Sequence, residues 1–169
     1  MLAYLFIVLA VAMRFLSIPL SFAPVTPALL FFGARGPRKH AWIPVLLLAG
    51  ADVALTRFVY GYPYTLDHVV TIAWYAAVLS IGTLLRQNTR PLRIAGAALA
   101  ASIGFFLVSN FAVWLAWTMY PHSLNGLYLC YAAALPFFRN QFLSDALFTA
   151  VMFGVPALVQ LLRPAPARA

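Results

Sequence analysis

The stretch Pro24-Val-Thr-Pro-Ala-Leu-Leu-Phe-Phe-Gly-Ala34, followed at once by Arg35-Gly-Pro-Arg-Lys39, decides the fold. A helix needs about 20 apolar residues to cross a hydrocarbon core of about 30 Å. This run is shorter, and Pro24 and Pro27 mark its entry. Short or proline-marked spans are tolerated where protein rather than lipid surrounds them. Read as a helix, it gives the chain six spans. Read as a loop, it leaves five and scatters the basic residues over both faces of a membrane.

The rest of the chain reads outward from there. Of 169 residues, 64% are hydrophobic and 8% are charged, against about 25% charged in a soluble domain. The first run extends from Leu2 to about Ile18, ended by Ser17, Pro19 and Ser21. It lacks the basic start of a secretory signal, so it reads as a retained helix. A third run, Ala41 to Tyr60, closes at Gly61-Tyr62-Pro63. The fourth covers Leu66–Leu85, and the fifth Leu92–Met119, long enough to tilt. After the polar Tyr120–Ser123 comes Leu127–Leu135, read as a helix lying at the interface, and then a sixth span, Phe138–Leu162. The expectation is an all-α integral membrane bundle of six transmembrane helices. Residues 1–163 form a single transmembrane domain and residues 164–169 a frayed cytoplasmic tail.

Charge turns that count into a sided topology. Short cytoplasmic loops collect Lys and Arg. Arg35, Arg38 and Lys39 fall between helices two and three, Arg86, Arg90 and Arg93 between four and five, and Arg163 and Arg168 after six. Six spans with both termini inside (N-in/C-in) bring all of them to one face, as in a multi-pass protein of a bacterial inner membrane. These eight residues account for the whole net charge of +8. A basic surface of this origin points to the lipid bilayer as partner and not to nucleic acid, since stacking modules and a basic groove are absent. Cys130 is the single cysteine, so no internal disulfide forms. No Cys/His spacing suggests a metal, and no cofactor is expected.

The remaining basics, Arg14, Arg57 and Arg139, are matched by the only acids, Asp52, Asp67 and Asp145. By depth they all fall in the extracytoplasmic half. A charge at the bilayer centre costs about 3 kcal/mol even on permissive scales, so such residues persist where they pair or line a polar cavity. Asp52 and Arg57 lie about 140° apart around one helix, so partners must come from other helices. On the fifth helix Phe106, Asn110, Trp114 and Trp117 share a face. An asparagine beside indoles suits a flat polar ligand. The candidate binding residues are therefore Arg14, Asp52, Arg57, Asn110, Trp114, Arg139, Asn140 and Asp145. The arginines would clamp an anionic group.

Plainer readings compete. Arginines near the outer ends can snorkel to headgroups, Trp117 suits an aromatic belt, and Asn110 can tie helices together. His40 and His122 read as solvated loop residues. Gly96/Ala100 and Ala97/Ala101 repeat at a spacing that permits close helix approach. A structural or assembly subunit is the main alternative function. An intramembrane aspartyl hydrolase built on Asp52 and Asp145 is a lesser one, because the Gly-x-Gly-Asp pattern is absent; no enzyme activity is expected.

Phe22-Ala-Pro-Val-Thr-Pro, Leu30-Phe-Phe-Gly-Ala, Ser109-Asn-Phe-Ala-Val-Trp, Met119-Tyr-Pro, and Leu135-Pro-Phe-Phe-Arg-Asn through Ser144-Asp resemble an uncharacterised bacterial family grouped with membrane transport proteins. The resemblance covers nearly the whole chain. In size and layout that family is similar to the substrate-binding S-components of energy-coupling-factor (ECF) vitamin transporters. The resemblance implies uptake of a small-molecule ligand, a vitamin or similar micronutrient, bound in the outer half. It also implies an ATPase and transmembrane coupling module as partner. The Ala-x-x-x-Ala pattern such components often carry on helix one is missing, since Ala10 and Ala12 are followed four residues on by Arg14 and Leu16.

Overall fold

A computed structural model gives the structure of residues 1–16 and 22–162. Among the described residues the chain is helical, without strands: α1 (Leu2–Phe15), α2 (Val25–Arg35), α3 (Trp42–Ala54), α4 (Leu66–Thr83), α5 (Pro91–Ala116) and α6 (Leu124–Leu162). A 3₁₀ turn at Arg38–His40 precedes α3, and a π turn at Leu55–Val59 continues it. Four stretches, Arg38–Val59, Leu66–Thr83, Pro91–Ala116 and Leu124–Leu162, are long and apolar enough to cross a membrane, while Leu2–Phe15 and Val25–Arg35 are shorter. The expected end of the first helix near Ile18 and the tail at 164–169 lie outside the described residues.

The short second helix is the hub. Thr26 through Ala34 are all buried, as a helix apolar on every side must be, and α1, α4, α5 and α6 pack around it. Pro27 falls in its first turn, where a backbone N–H needs no partner. Phe31 meets Phe6 and Phe153 at centroid distances of 4.9 and 5.1 Å, and Phe32 meets Tyr4 at 5.2 Å. Gly33 lies against the backbone of Leu79 and Gly82, and a Cβ on Gly82 would stand 2.5 Å from the Leu30 carbonyl oxygen. The tightest glycine-mediated helix crossing is therefore α2 on α4. The expected close approach through Gly96 does not form, because nothing lies within 4 Å of where its Cβ would be.

One element differs from its expected form. Leu127–Leu135 and Phe138–Leu162 are not an interfacial segment and a separate span but parts of one 39-residue helix, α6. At 1.5 Å per residue it is roughly 58 Å long. A proline inside a helix removes a hydrogen bond and crowds the preceding turn, which is why Pro136 reads as a boundary. The break is overridden by α5: Tyr131 Oη donates to the Leu107 carbonyl at 2.6 Å, and the Phe138 ring lies 4.5 Å from Phe106. Contacts on both sides of Pro136 keep the helix continuous across it.

The connections gather at two opposite ends. At one, Arg86 Nη2 donates to the Gly36 carbonyl at 2.8 Å, and Arg35 Nη2 to Thr89 Oγ1 at 3.3 Å. The basic loops Arg35–Lys39 and Arg86–Arg93 thus share this end. His40, expected to be solvated, is half-buried and hydrogen-bonded to Tyr4 Oη. At the other end Trp117 Nε1 donates to Asp67 Oδ1 at 3.1 Å, tying the α5 terminus to the start of α4.

Candidate functional site

Between the helices, toward the end opposite the basic loops, lies a cavity of ≈ 480 Å³ lined by residues of all six. One wall is a closed triangle. Arg14 of α1 donates through Nη2 to Asp52 Oδ1 of α3, and through Nη1 to Tyr75 Oη of α4 at 2.5 Å. Tyr75 Oη in turn donates to Asp52 Oδ2 at 2.6 Å. Each member satisfies the other two, which lets a charged pair sit among apolar helices. The π turn begins three residues after Asp52. Its Tyr60 N–H bonds to the Leu55 carbonyl at 2.9 Å, and the widened turn leaves Leu55 and Thr56 in the cavity wall. Such π turns often accompany functional sites. Gly61, at φ +68°, then reverses the chain into Tyr62.

A second polar group sits where α4 begins. Thr65 caps the helix, its hydroxyl also donating to Asp67 Oδ1, while His68 Nδ1 accepts from the Thr65 N–H at 3.3 Å. Asp67 Oδ2 lies 3.5 Å from His68 Nδ1. Asp67, Thr71 and Tyr75 follow at four-residue spacing and all face the cavity. Beside this helix end, burial and then the carboxylates of Asp52 and Asp67 push the Tyr64 hydroxyl above its ordinary range.

The third acid stands apart. Asp145 on α6 is 2% exposed and accepts from Ser102 Oγ of α5 at 2.6 Å, with Thr26 and Gln141 beside it. Among the described residues no Lys, Arg or His comes within ion-pair distance of it. Asp145 also lines a second, mainly apolar groove of ≈ 560 Å³ between α5 and α6, which runs toward Arg35 and Thr89. No three His, Cys, Asp or Glu side chains among the described residues converge as metal ligands.

Three of the expected site residues therefore meet at one cavity: Arg14, Asp52 and Asp145. The other five do not line it. Arg57 and Arg139 are exposed and without an acidic partner among the described residues. Asn140 is half-buried outside the lining. Asn110 donates to its own helix at the Phe106 carbonyl, 2.8 Å away. Trp114 Nε1 donates to the Pro121 carbonyl at 2.9 Å, its ring 5.3 Å from His122. Phe106, Asn110 and Trp114 share a helix face, whereas Trp117, expected on it, lies past the end of α5 and bonds to Asp67; the face serves the α5–α6 contact, where Cys130 Sγ reaches the Asn110 carbonyl at 3.5 Å. Phe105, one residue before Phe106, faces the cavity instead.

Residues that sequence reasoning left out of the site include Tyr75, Thr71, Thr26, Gln141 and Ser102. The recurrence Asp67, Thr71, Tyr75 along an otherwise apolar helix was a usable signal. Ser102 and Thr26 carried none, because small hydroxyl residues are ordinary inside apolar helices.

The family of unknown function DUF6580 matches the chain over residues 1–167. No curated protein and no solved structure matches it.

Proposed function

The chain belongs to the DUF6580 family, and we propose that it is a membrane-embedded uptake protein that binds a small water-soluble molecule in the cavity between its helices. The observation that carries this reading is the cavity itself: ≈ 480 Å³, within the range of small-molecule sites, with polar groups set among aromatic walls. Phe22, Tyr60, Tyr62, Trp74 and Phe105 supply the apolar lining.

In this reading all six helices lie in a bacterial inner membrane with both termini cytoplasmic. Support comes from the many large apolar side chains left exposed, among them Leu5, Leu46, Leu107 and Leu147, and from the basic loops meeting at one end. The cavity then opens in the extracytoplasmic half, as uptake requires. The resemblance to ECF S-components, drawn from size and a count of six helices, suggests a vitamin or similar micronutrient as ligand. The missing Ala-x-x-x-Ala pattern favours an uptake protein working alone over one docked to an ATPase and coupling module. No chemical step is involved. Asp52 is engaged by Arg14 and Tyr75, Asp145 by Ser102, and among the described residues the two carboxylates share no hydrogen bond.

A structural role is the second reading, favoured by the mutual satisfaction of Arg14, Asp52 and Tyr75. Profiling of spent culture medium separates the two. Cells producing the protein should deplete one small solute faster than vector controls and faster than cells producing Thr71→Trp, which fills the cavity. Identical media from all three would remove the uptake reading.

A further inference from the structure

The charge inventory of the cavity is lopsided. All three acidic residues of the chain line it, but of the nine Lys and Arg among the described residues only Arg14 does. With Asp52 matched by Arg14, two carboxylates remain in excess. Asp67 is tied by Thr65 and Trp117 beside His68, near the entrance to α4. Asp145 is different: it is buried, it faces the cavity, and the groups that hydrogen-bond it, Ser102 with Thr26 and Gln141, are all neutral. A carboxylate held in a low-dielectric interior without a counter-ion is costly in its charged form. A ligand that brings a positive group offsets that cost, whereas an anionic ligand adds to it. The aromatic wall adds to the preference, since ring faces attract cations when water is displaced. Of the arginines expected to clamp an anion, Arg57 and Arg139 are absent from the lining, and Arg14 is already engaged by Asp52 and Tyr75.

We propose that the cavity takes an organic cation, a ring-bearing amine or quaternary ammonium, whose positive group pairs with Asp145 while its ring lies against the aromatic wall. This deepens the uptake reading and rests on it. The groups facing Asp145 from the elements around it are Ser102 on α5, Thr26 on α2 and Gln141 on α6. The Arg14–Asp52–Tyr75 triangle lines the same cavity, and Arg35 lies at the far end of the α5–α6 groove.

The test uses the full chain in detergent and a matched set of probes: benzylammonium, benzyl alcohol and benzoate. Benzylammonium should raise Tm by about 2–4 °C when well above its Kd, and the neutral and anionic probes should not. Asp145→Asn should abolish that shift. Gln141→Lys, which sets a tethered ammonium one helical turn from the carboxylate, should raise Tm without ligand and also abolish the shift, so the test survives if Asp145→Asn does not fold. A larger shift with benzoate, an undiminished benzylammonium shift in either variant, or no shift with any probe would overturn the proposal. A neutral or anionic solute taken up by cells would overturn it too while leaving the uptake reading in place.

Discussion

Arg14, Asp52 and Tyr75 show what a charge requires when helices are packed around it. Arg14 makes two donations, Asp52 accepts through both oxygens, and the tyrosine hydroxyl does both. Removing one partner of a buried pair leaves the other charge uncompensated, at a cost of about 3–5 kcal/mol. Removing a neutral hydroxyl costs about 1–3 kcal/mol. Thermal unfolding in detergent should therefore rank Asp52→Asn as more destabilising than Tyr75→Phe. The double variant Arg14→Met/Asp52→Leu should lose less than the sum of its single variants. Additive losses would mean that the triangle is not a coupled unit. Arg14 and Asp52 were legible in the sequence because charges in apolar runs demand an explanation. Tyr75 was not, because a tyrosine in an apolar helix reads equally well as packing. The pairing of Arg57 and Arg139 with acids was a matter of counting, and geometry did not follow the count: both are exposed.

At the scale of elements, α2 and α6 teach opposite lessons. The short α2 was recoverable because basic residues follow it and a sided topology needs it. Its place at the centre of the packing was not, since burial depends on neighbours that no local pattern names. In α6, Pro136 gave a correct local signal that tertiary contacts with α5 overrode. The glycines make the same point. Gly96 sits in a repeat suited to close approach yet faces open space, while Gly33 and Gly82, in no such repeat, bring α2 and α4 together. Gly82→Val should cost about 1–3 kcal/mol or more by overpacking, because the obstructing atoms are the Leu30 backbone. Gly96→Ala should be neutral or stabilising by up to about 1 kcal/mol. The two Tm values in detergent check this, and equal destabilisation by both would refute the assigned α2–α4 crossing.

Across the whole molecule, the basic loops collect at one end and the acid-lined cavity lies toward the other. The sequence already separated these two sets of charges, and with them the region to search. It did not show which polar residues converge, since a helix face can be read from spacing but not what that face meets. Phe106 and Asn110 spend such a face on α6 and Trp114 spends its part on the connection at Pro121, while Asp67, Thr71 and Tyr75 spend theirs on the cavity. In an uptake protein this cavity holds a small solute. The most direct measurement is mass spectrometry of small molecules extracted from the protein purified without added ligand, beside Thr71→Trp prepared in parallel. One water-soluble compound should be recovered with the wild-type protein and lost from a Thr71→Trp protein of unchanged elution profile. Equal recovery from both, or only lipid and detergent from the wild type, would contradict it.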